Sequence, residues 1–598
     1  MNDVTKRIGA ANAAPWIVAV IVVGSAVLLS PALVCAQTPP PAAPGAEPTP
    51  PSAPPAPAPD SGAVPEGSAS PDQSALPTSA GVERTWSGPP SEPKGPKTFW
   101  ESVPRTIVPY PRTGNFYISP SGPGYYTLFD FLQNHESAER PRNPYLQWGQ
   151  NANPFFNVDF RYLDDPNNTE TFLGDSLKRI HLGDDWLLST GGELRDRYSS
   201  LDNAYLYNKK PLAGTNENFN LFRARVYGDL NYLDVFRVYG EFISADSSPQ
   251  TIPHLSSDVD KADVLNLFVE VKVLPIDGDA VYVRAGRQEL LFGSQRLISP
   301  SDWSNDLRTF QGVRALYHTD KIEEDAWWVQ PVIVNTGKLD SVDDKQCFVG
   351  NYFKYRFNKD ISLDAYYLYL ENYNQTAAGQ KRVLGGYDVN TFGSRFVGQA
   401  GDRGQYLFDL EGAVQFGDWS NQTTEADMYV AGLGYWFKDL PAIPTFWVYY
   451  DHASGTTNPL TSGEHQTFNQ LFPSGHSYFN SEDLFGRQNI NDFHLELGVF
   501  PLDWLRFTAA YHVLNLDQAK DALYNSSGSV VRQDTTGKSG TDIGNALSGS
   551  VQFHLDNHQL VNVSYAHLFS GTFIKDTAIN AAAAKDQDSV WVTYQFKW

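Results

Sequence analysis

Five arginines crowd the stretch 282–317: Arg284, Arg287, Arg296, Arg308 and Arg314, set among Leu290, Leu291, Phe292 and Trp303. A guanidinium stays charged and offers a planar fork that takes a carboxylate through two parallel hydrogen bonds. Several such groups spread along one path attract an acidic chain without trapping it, because each contact must form and then break. Carboxylates at Glu193, Glu241, Glu270, Asp409 and Glu411 offer the competing use, a bracing network of ion pairs. Which use applies depends on the elements that carry these side chains.

Those elements are strands. In "NLFRARVYGDL", Phe222, Ala224, Val226, Gly228 and Leu230 share one parity, and Arg223, Arg225, Tyr227 and Asp229 the other. "FRVYGEFI", "LNLFVEVKV", "YFKYRF" and "QYLFDLEGAVQF" alternate in the same way. Period-two alternation predicts strands with one apolar and one polar face. Segments start near 190, 221, 235, 264, 279, 310, 326, 350, 361, 391, 405, 427, 443, 490, 504, 543, 559 and 589, eighteen in all. Tight connections, as at 231–234 and 501–504, contrast with long polar stretches at 453–489 and 517–542. An even strand count with short turns on one rim and long loops on the other predicts an all-β, antiparallel transmembrane barrel. The chain also ends on Val590, Val592, Tyr594, Phe596 and Trp598 in alternation, which resembles the assembly signal of outer-membrane barrels.

In such a barrel the apolar face meets lipid and the polar face looks inward. Parity then places Arg195, Arg197, Arg223, Arg225, Arg237, Arg284, Arg314, Lys354 and Arg356 toward the lumen. Arg287 has the other parity and reaches the lumen only if Gly286 makes a bulge or the strand has ended. Arg296 and Arg308 fall in a connection expected to fold inward as a constriction, with Pro300, Asp302 and Asn305 supplying turn chemistry.

The ends of the chain set the compartment. Lys6 and Arg7 precede an apolar run from Trp16 to Leu29 and small residues around Ala36, the pattern of a secretory signal over 1–36. Residues 37–97, with "PPPAAPGAEPTPPSAPPAPAP", cannot bury a core and form an extended or disordered Pro/Ala-rich linker. Residues 98–185 are expected to form an irregular lead-in with aromatic islands and one short helix, and 186–598 the barrel. Cleavage after Ala36 removes Asp3, Lys6 and Arg7, leaving 43 basic and 67 acidic residues, a net of −24. That balance argues against a nucleic-acid partner.

Other motifs are weaker. "DTTGKSGTD" has Arg532 where a phosphate loop needs its first Gly, and "GLGYWF" lacks the third Gly of a dinucleotide fingerprint. His494, His512, His554 and His567 lack metal-ligand spacing, and Asp340, Asp343 and Asp344 are expected in a solvated loop. No metal, cofactor or catalytic triad is read from the chain.

The blocks "LSTGGELRDRY" (188–198), "YVRAGRQELLFGSQRLISPSDWSNDLRTFQGVRALY" (282–317), "FHLELGVFPLDWLRFTAAYHVLNLDQAKDALY" (493–524) and "VNVSYAHLFSGTFI" (561–574) resemble the alginate export family of outer-membrane barrels. That resemblance implies an eighteen-stranded barrel with an arginine-rich constriction that passes a polyuronate or similar chain. The expectation is a passive channel in the outer membrane, not an enzyme, for an anionic polysaccharide, with the Pro-rich linker free to meet a periplasmic partner. Two alternatives stay open: a general porin for small anionic solutes, and a barrel enzyme or adhesin acting through the loops 453–489 and 517–542.

Overall fold

The computed structural model describes residues 118–138, 154–164 and 173–598, apart from 159 and short interruptions at 204–214, 234, 277–278, 320, 359, 380–381 and 480–483. The expected signal 1–36 and linker 37–97 lie outside the described residues.

Eighteen strands form the wall. They are β1 (Trp186–Asp202), β2 (Glu217–Tyr232), β3 (Phe236–Ser247), β4 (Asp260–Ile276), β5 (Asp279–Gln288) and β6 (Phe310–His318). Then come β7 (Ile322–Ile333), β8 (Gln346–Arg356), β9 (Ile361–Ala378), β10 (Leu384–Ala400), β11 (Tyr406–Trp419) and β12 (Gln422–Trp436). The last six are β13 (Thr445–Ala453), β14 (Ile490–Leu502), β15 (Leu505–Leu516), β16 (Asp542–His554), β17 (Gln559–Ser570) and β18 (Gln587–Lys597). Each pairs antiparallel with its sequence neighbour, and β18 returns to β1 from Glu193↔Lys597 to Asp202↔Asp588. The sheet therefore closes with no free edge, which is what lets β-structure stand in lipid. All eighteen expected starts fall within seven residues of the observed ones, the widest gap being 391 against Leu384.

The alternation maps onto the two faces as the side-chain period requires. Along β1, Glu193, Arg195, Arg197 and Ser199 are buried, while Leu194 and Tyr198 between them are 39% and 40% exposed. Phe222, Val226, Phe242, Leu267, Val313, Phe392, Val414 and Leu433 are exposed in the same outward register on other strands. A contiguous belt of bare aromatic and aliphatic side chains has an apolar solvent as its only stable surrounding.

Connections alternate between the rims. Those after β2, β4, β6, β8, β10, β14 and β16 are short, whereas 248–259, 289–309, 334–345, 454–489 and 517–541 stand on the opposite rim. Three of the latter, 289–309, 454–489 and 517–541, turn into the barrel, the last through buried Leu523 and Val531. Residues 289–307 are buried without exception, and Leu290, Phe292, Leu297, Ile298 and Trp303 join Phe468, Tyr478, Phe479, Leu484 and Phe485 in one apolar core within the lumen. From the short-turn rim a lead-in segment enters as well. Phe155 stacks on Tyr227 at 5.2 Å, and Phe156 meets Tyr239 and Phe268 edge-on at 5.4 and 5.1 Å. The single short α-helix of the described lead-in, Leu128–Gln133, is capped by Thr127 and rests Phe131 against Trp504 at 5.7 Å.

Candidate functional site: an arginine lumen beneath inward loops

The site is built from the wall inward. Residues at every second position of β1–β11 deliver cations and carboxylates to the lumen, and the 289–309 loop lies across them. Arg195 donates through Nη1 to the main-chain oxygen of Asp302 at 2.7 Å and through Nη2 to those of Trp303 and Ser304 at 3.1 and 2.7 Å. Arg197 donates to the Trp303 carbonyl at 3.0 Å and packs its guanidinium 3.5 Å above the Trp303 ring. Arg223 bridges wall and loop, with Nε 2.6 Å from Glu193 and Nη2 2.7 Å from the Asp302 carboxylate. Arg225 pairs with Glu241 at 2.7 Å and with Glu289 at 3.2 Å, and lies 4.5 Å over the Phe155 ring.

A row of charges crosses four neighbouring strands. Glu270 on β4 holds Arg284 on β5 at 2.6–2.8 Å, Arg284 faces Arg314 on β6, and Arg314 pairs with Asp325 on β7 at 2.8 Å. Two like charges stand opposite each other there, each held by its own acid on the outer side. Further along the wall, Arg237 pairs with Asp229 at 2.7 Å and caps the Phe156 carbonyl at 2.7 Å. Lys354 lies 3.8 Å from Asp364, and Arg356 pairs with Glu323.

The loop's own arginines anchor it. Arg296 reaches across the lumen to Asp409 and Glu411 on β11, at 2.9 and 2.6 Å, and Arg395 on β10 shares Asp409 at 2.7 Å. Arg308 donates to the carbonyls of Ser299 and Pro473, each at 3.1 Å, which ties the 289–309 loop to the 454–489 loop.

Arg287 is placed differently from the others. Gly286 adopts φ +134°, but the pairing runs unbroken through Phe268↔Gly286↔Gly312 and Leu267↔Arg287↔Gln311. No bulge forms, so Arg287 keeps the outward parity of Leu267. It reaches along the wall to Asp263 at 3.4 Å and to the carbonyls of Val264 and Asp340 at 2.9 and 3.2 Å.

Burial shapes the charge of the loop groups. It disfavours the charge of Arg296, but Asp409 and Glu411 outweigh it and hold the guanidinium well above its ordinary pKa. It would likewise raise Asp302, yet Arg223, Lys597, Arg195 and Arg225 drive that carboxyl far below its usual range. Glu289 has a lone nearby cation in Arg225, and burial pushes it up to about 7. Asp340 gathers with Asp260 and Asp306 rather than with Asp343 and Asp344, and Asp343 instead accepts from Gln346 and Asn374 at 2.6 and 2.8 Å.

All five expected acidic partners meet arginines: Glu193, Glu241, Glu270, Asp409 and Glu411. Sequence reasoning missed others. Asp229, Asp325, Arg395 and Asp451 sit at inward parity and were open to the same alternation argument. Glu289, Asp302 as a charge partner, and Arg487, which pairs with Asp451, lie on loops whose inward fold leaves no periodic trace. Arg532, in the phosphate-loop look-alike, donates to the carbonyls of Ile574 and Ala583 at 2.7 and 2.6 Å, as part of the loop packing.

The family described as alginate export matches residues 186–586. No curated relative matches the chain significantly. Among solved structures, Pseudomonas aeruginosa OccK11 (OpdR) is 11% identical with a TM-score of 0.44, covering 71% of this chain and 100% of its own. Pseudomonas aeruginosa OpdQ is 12% identical with a TM-score of 0.45, covering 69% and 97%. Acinetobacter baumannii OccAB1 is 11% identical with a TM-score of 0.45, covering 69% and 96%. Those likenesses carry no weight for activity. With the family match spanning seventeen of the eighteen wall strands, from β1 through β17, the chain belongs to the alginate export family of outer-membrane channels.

Proposed function

We propose that the protein is a passive outer-membrane channel for an anionic polysaccharide, with the 289–309 loop as its closed constriction. The observation that supports this best is the choice of acceptor at the loop. Arg195 and Arg197 spend their donors on the neutral main-chain oxygens of Asp302, Trp303 and Ser304. A uronate carboxylate is a stronger acceptor for a guanidinium, since charge-assisted bonds are roughly twice as strong as neutral ones. Withdrawal of the loop would hand these donors to a passing polyanion at little cost. Arg223, Arg225, Arg284, Arg296, Arg308 and Arg314 would continue the path, with Arg237, Lys354 and Arg356 toward the short-turn rim. Arg287 would contribute only at the wall. No cofactor or turnover is needed, because the polymer moves down its own gradient. The signal 1–36 would direct the chain across the inner membrane, and the linker 37–97 would reach a periplasmic partner.

Conductance in planar bilayers tests the reading. We expect anion-selective current that polyuronates block, and a clear loss of selectivity in Arg195→Gln with Arg197→Gln. Cation selectivity unchanged by those substitutions, or polyuronate that passes no current-blocking events, would sink it. Current carried by small anions but indifferent to polyuronate would favour the small-solute porin.

A further inference from the structure

We propose that Asp492, His494 and His512 form a binding site for one divalent transition-metal ion of the zinc class, fixed across two wall strands. Asp492 and His494 are two apart on β14 and so share its inward face, while His512 stands directly opposite His494 on β15. Asp492 Oδ2 lies 2.8 Å from Nδ1 of both imidazoles. Donor atoms of the three residues all fall within 4.8 Å of one another, and the residues are only 0%, 3% and 2% exposed.

The hydrogen bonding inside the cluster is incomplete. His512 Nδ1 bonds Asp492 Oδ2, but His494 Nδ1, at the same distance, lies outside hydrogen-bond geometry. Asp492 Oδ1 is also buried without a partner. Buried polar atoms left unpaired are costly, and native structures hold few of them. An ion at the focus of these atoms would satisfy both.

The donor set also suits the ion. Two imidazoles and one carboxylate match zinc-class ligation, with a fourth position left for water. Glu496 Oε1 lies 3.6 Å from His494 Nε2, on the ring's far side. The negative charge there favours the tautomer with its proton on Nε2, which leaves the Nδ1 lone pair for the site, the role outer-shell acids have for metal-bound histidines. The rings are held in place by stacking, Tyr449 on His494 at 5.0 Å and His494 on His512 at 4.6 Å. Asp492 brings a negative charge directly to the dication, and nearby Asp451 is paired with Arg487. The bound ion would pin β14 to β15 just below Ile490, where the 454–489 loop rejoins the wall.

The test uses the full mature chain in detergent, without a histidine tag, stripped with a chelator and titrated with Co²⁺. We expect one Co²⁺ per chain with visible d–d absorption, displaced by Zn²⁺, and at least about tenfold weaker binding in His494→Gln and in His512→Gln. Heat-modifiable gel mobility reports whether each variant is folded. Should a variant fail to fold, X-ray absorption on the Zn²⁺-loaded wild type decides, where two imidazole nitrogens in the first shell are expected. Absent d–d bands, unchanged binding in folded variants, or an all-oxygen shell each overturns the site.

Discussion

Ile298 and Phe472 form a parallel bridge inside the barrel, although they come from connections 174 residues apart in sequence. Ser299 N donates to the Phe472 carbonyl at 2.8 Å and Phe472 N to the Leu297 carbonyl at 2.9 Å. Two inward loops thereby act as one body, and the lumen opens only if that body moves or parts.

Ile298→Cys combined with Phe472→Cys places a reducible link at this bridge. Oxidation is expected to lower single-channel current at least severalfold, with recovery on reduction and no such effect in either single variant. Current unaffected by oxidation would show that the permeation path avoids this junction.

The pair Arg284–Glu270 has exposures of only 3% and 2%, so each partner compensates a buried charge. Arg284→Met is expected to destabilise the barrel by about 3–5 kcal/mol, because Glu270 loses the guanidinium that compensates its buried charge. Adding Glu270→Met should restore most of the loss in guanidinium unfolding. Equal losses in single and double variants would mean the guanidinium acts through packing on Phe156 and Phe268, over which it lies at 4.5 and 4.3 Å.

The long-loop rim should loosen as pH rises. Burial, then the neighbouring acids, pushes Asp306 well above the usual carboxylate range, and burial with the adjacent Asp263 takes Asp340 up to about 6. Asp260 and Asp263 face them on β4, and Arg287 is the nearby cation. Unfolded aspartates titrate near 4. Below that, both states are protonated and the contribution to stability is fully present. As pH climbs from about 4 through 6, the unfolded chain releases protons that the folded rim retains, and stability falls. Amide protection at 302–309 and 335–345, taken relative to the intrinsic base-catalysed exchange rate, should therefore be lower at pH 8 than at pH 5, with Asp340→Asn flattening the contrast. Equal or greater protection at pH 8 would contradict it.

Barrel closure depends on Gly192. A Cβ there would stand 2.2 Å from the Arg225 carbonyl and 2.7 Å from the Trp598 ring, at the seam where Trp598 and Gly192 exchange backbone hydrogen bonds of 3.1 Å. Gly192→Ala is expected to cut the yield of heat-modifiable, folded barrel in refolding assays. Gly228→Ala on β2, with nothing within 4 Å of the added methyl, serves as the control. Equal yields from both would show that the seam tolerates the shift.

The strand pattern was legible because a β-strand has a period of two and each wall face meets a different solvent. Those two facts alone put Arg195, Arg223 and Arg284 inward and Leu194, Phe222 and Val313 outward. They also set Arg287 apart from the other arginines of its stretch, and the strand register runs unbroken past Gly286. Loops carry no such period. That the 289–309 connection would fold inward could be expected from its arginines, but its union with 454–489 through Ile298 and Phe472 could not.

Partners across strands were equally hidden. His494 and His512 are 18 positions apart, a spacing that suggests nothing until β14 and β15 pair in register. Local alternation, set by chain geometry and solvent, was thus determined by the sequence itself. Which buried charge meets which, and what closes the lumen, was decided only by tertiary structure, because register and loop docking follow from contacts between segments far apart in the chain.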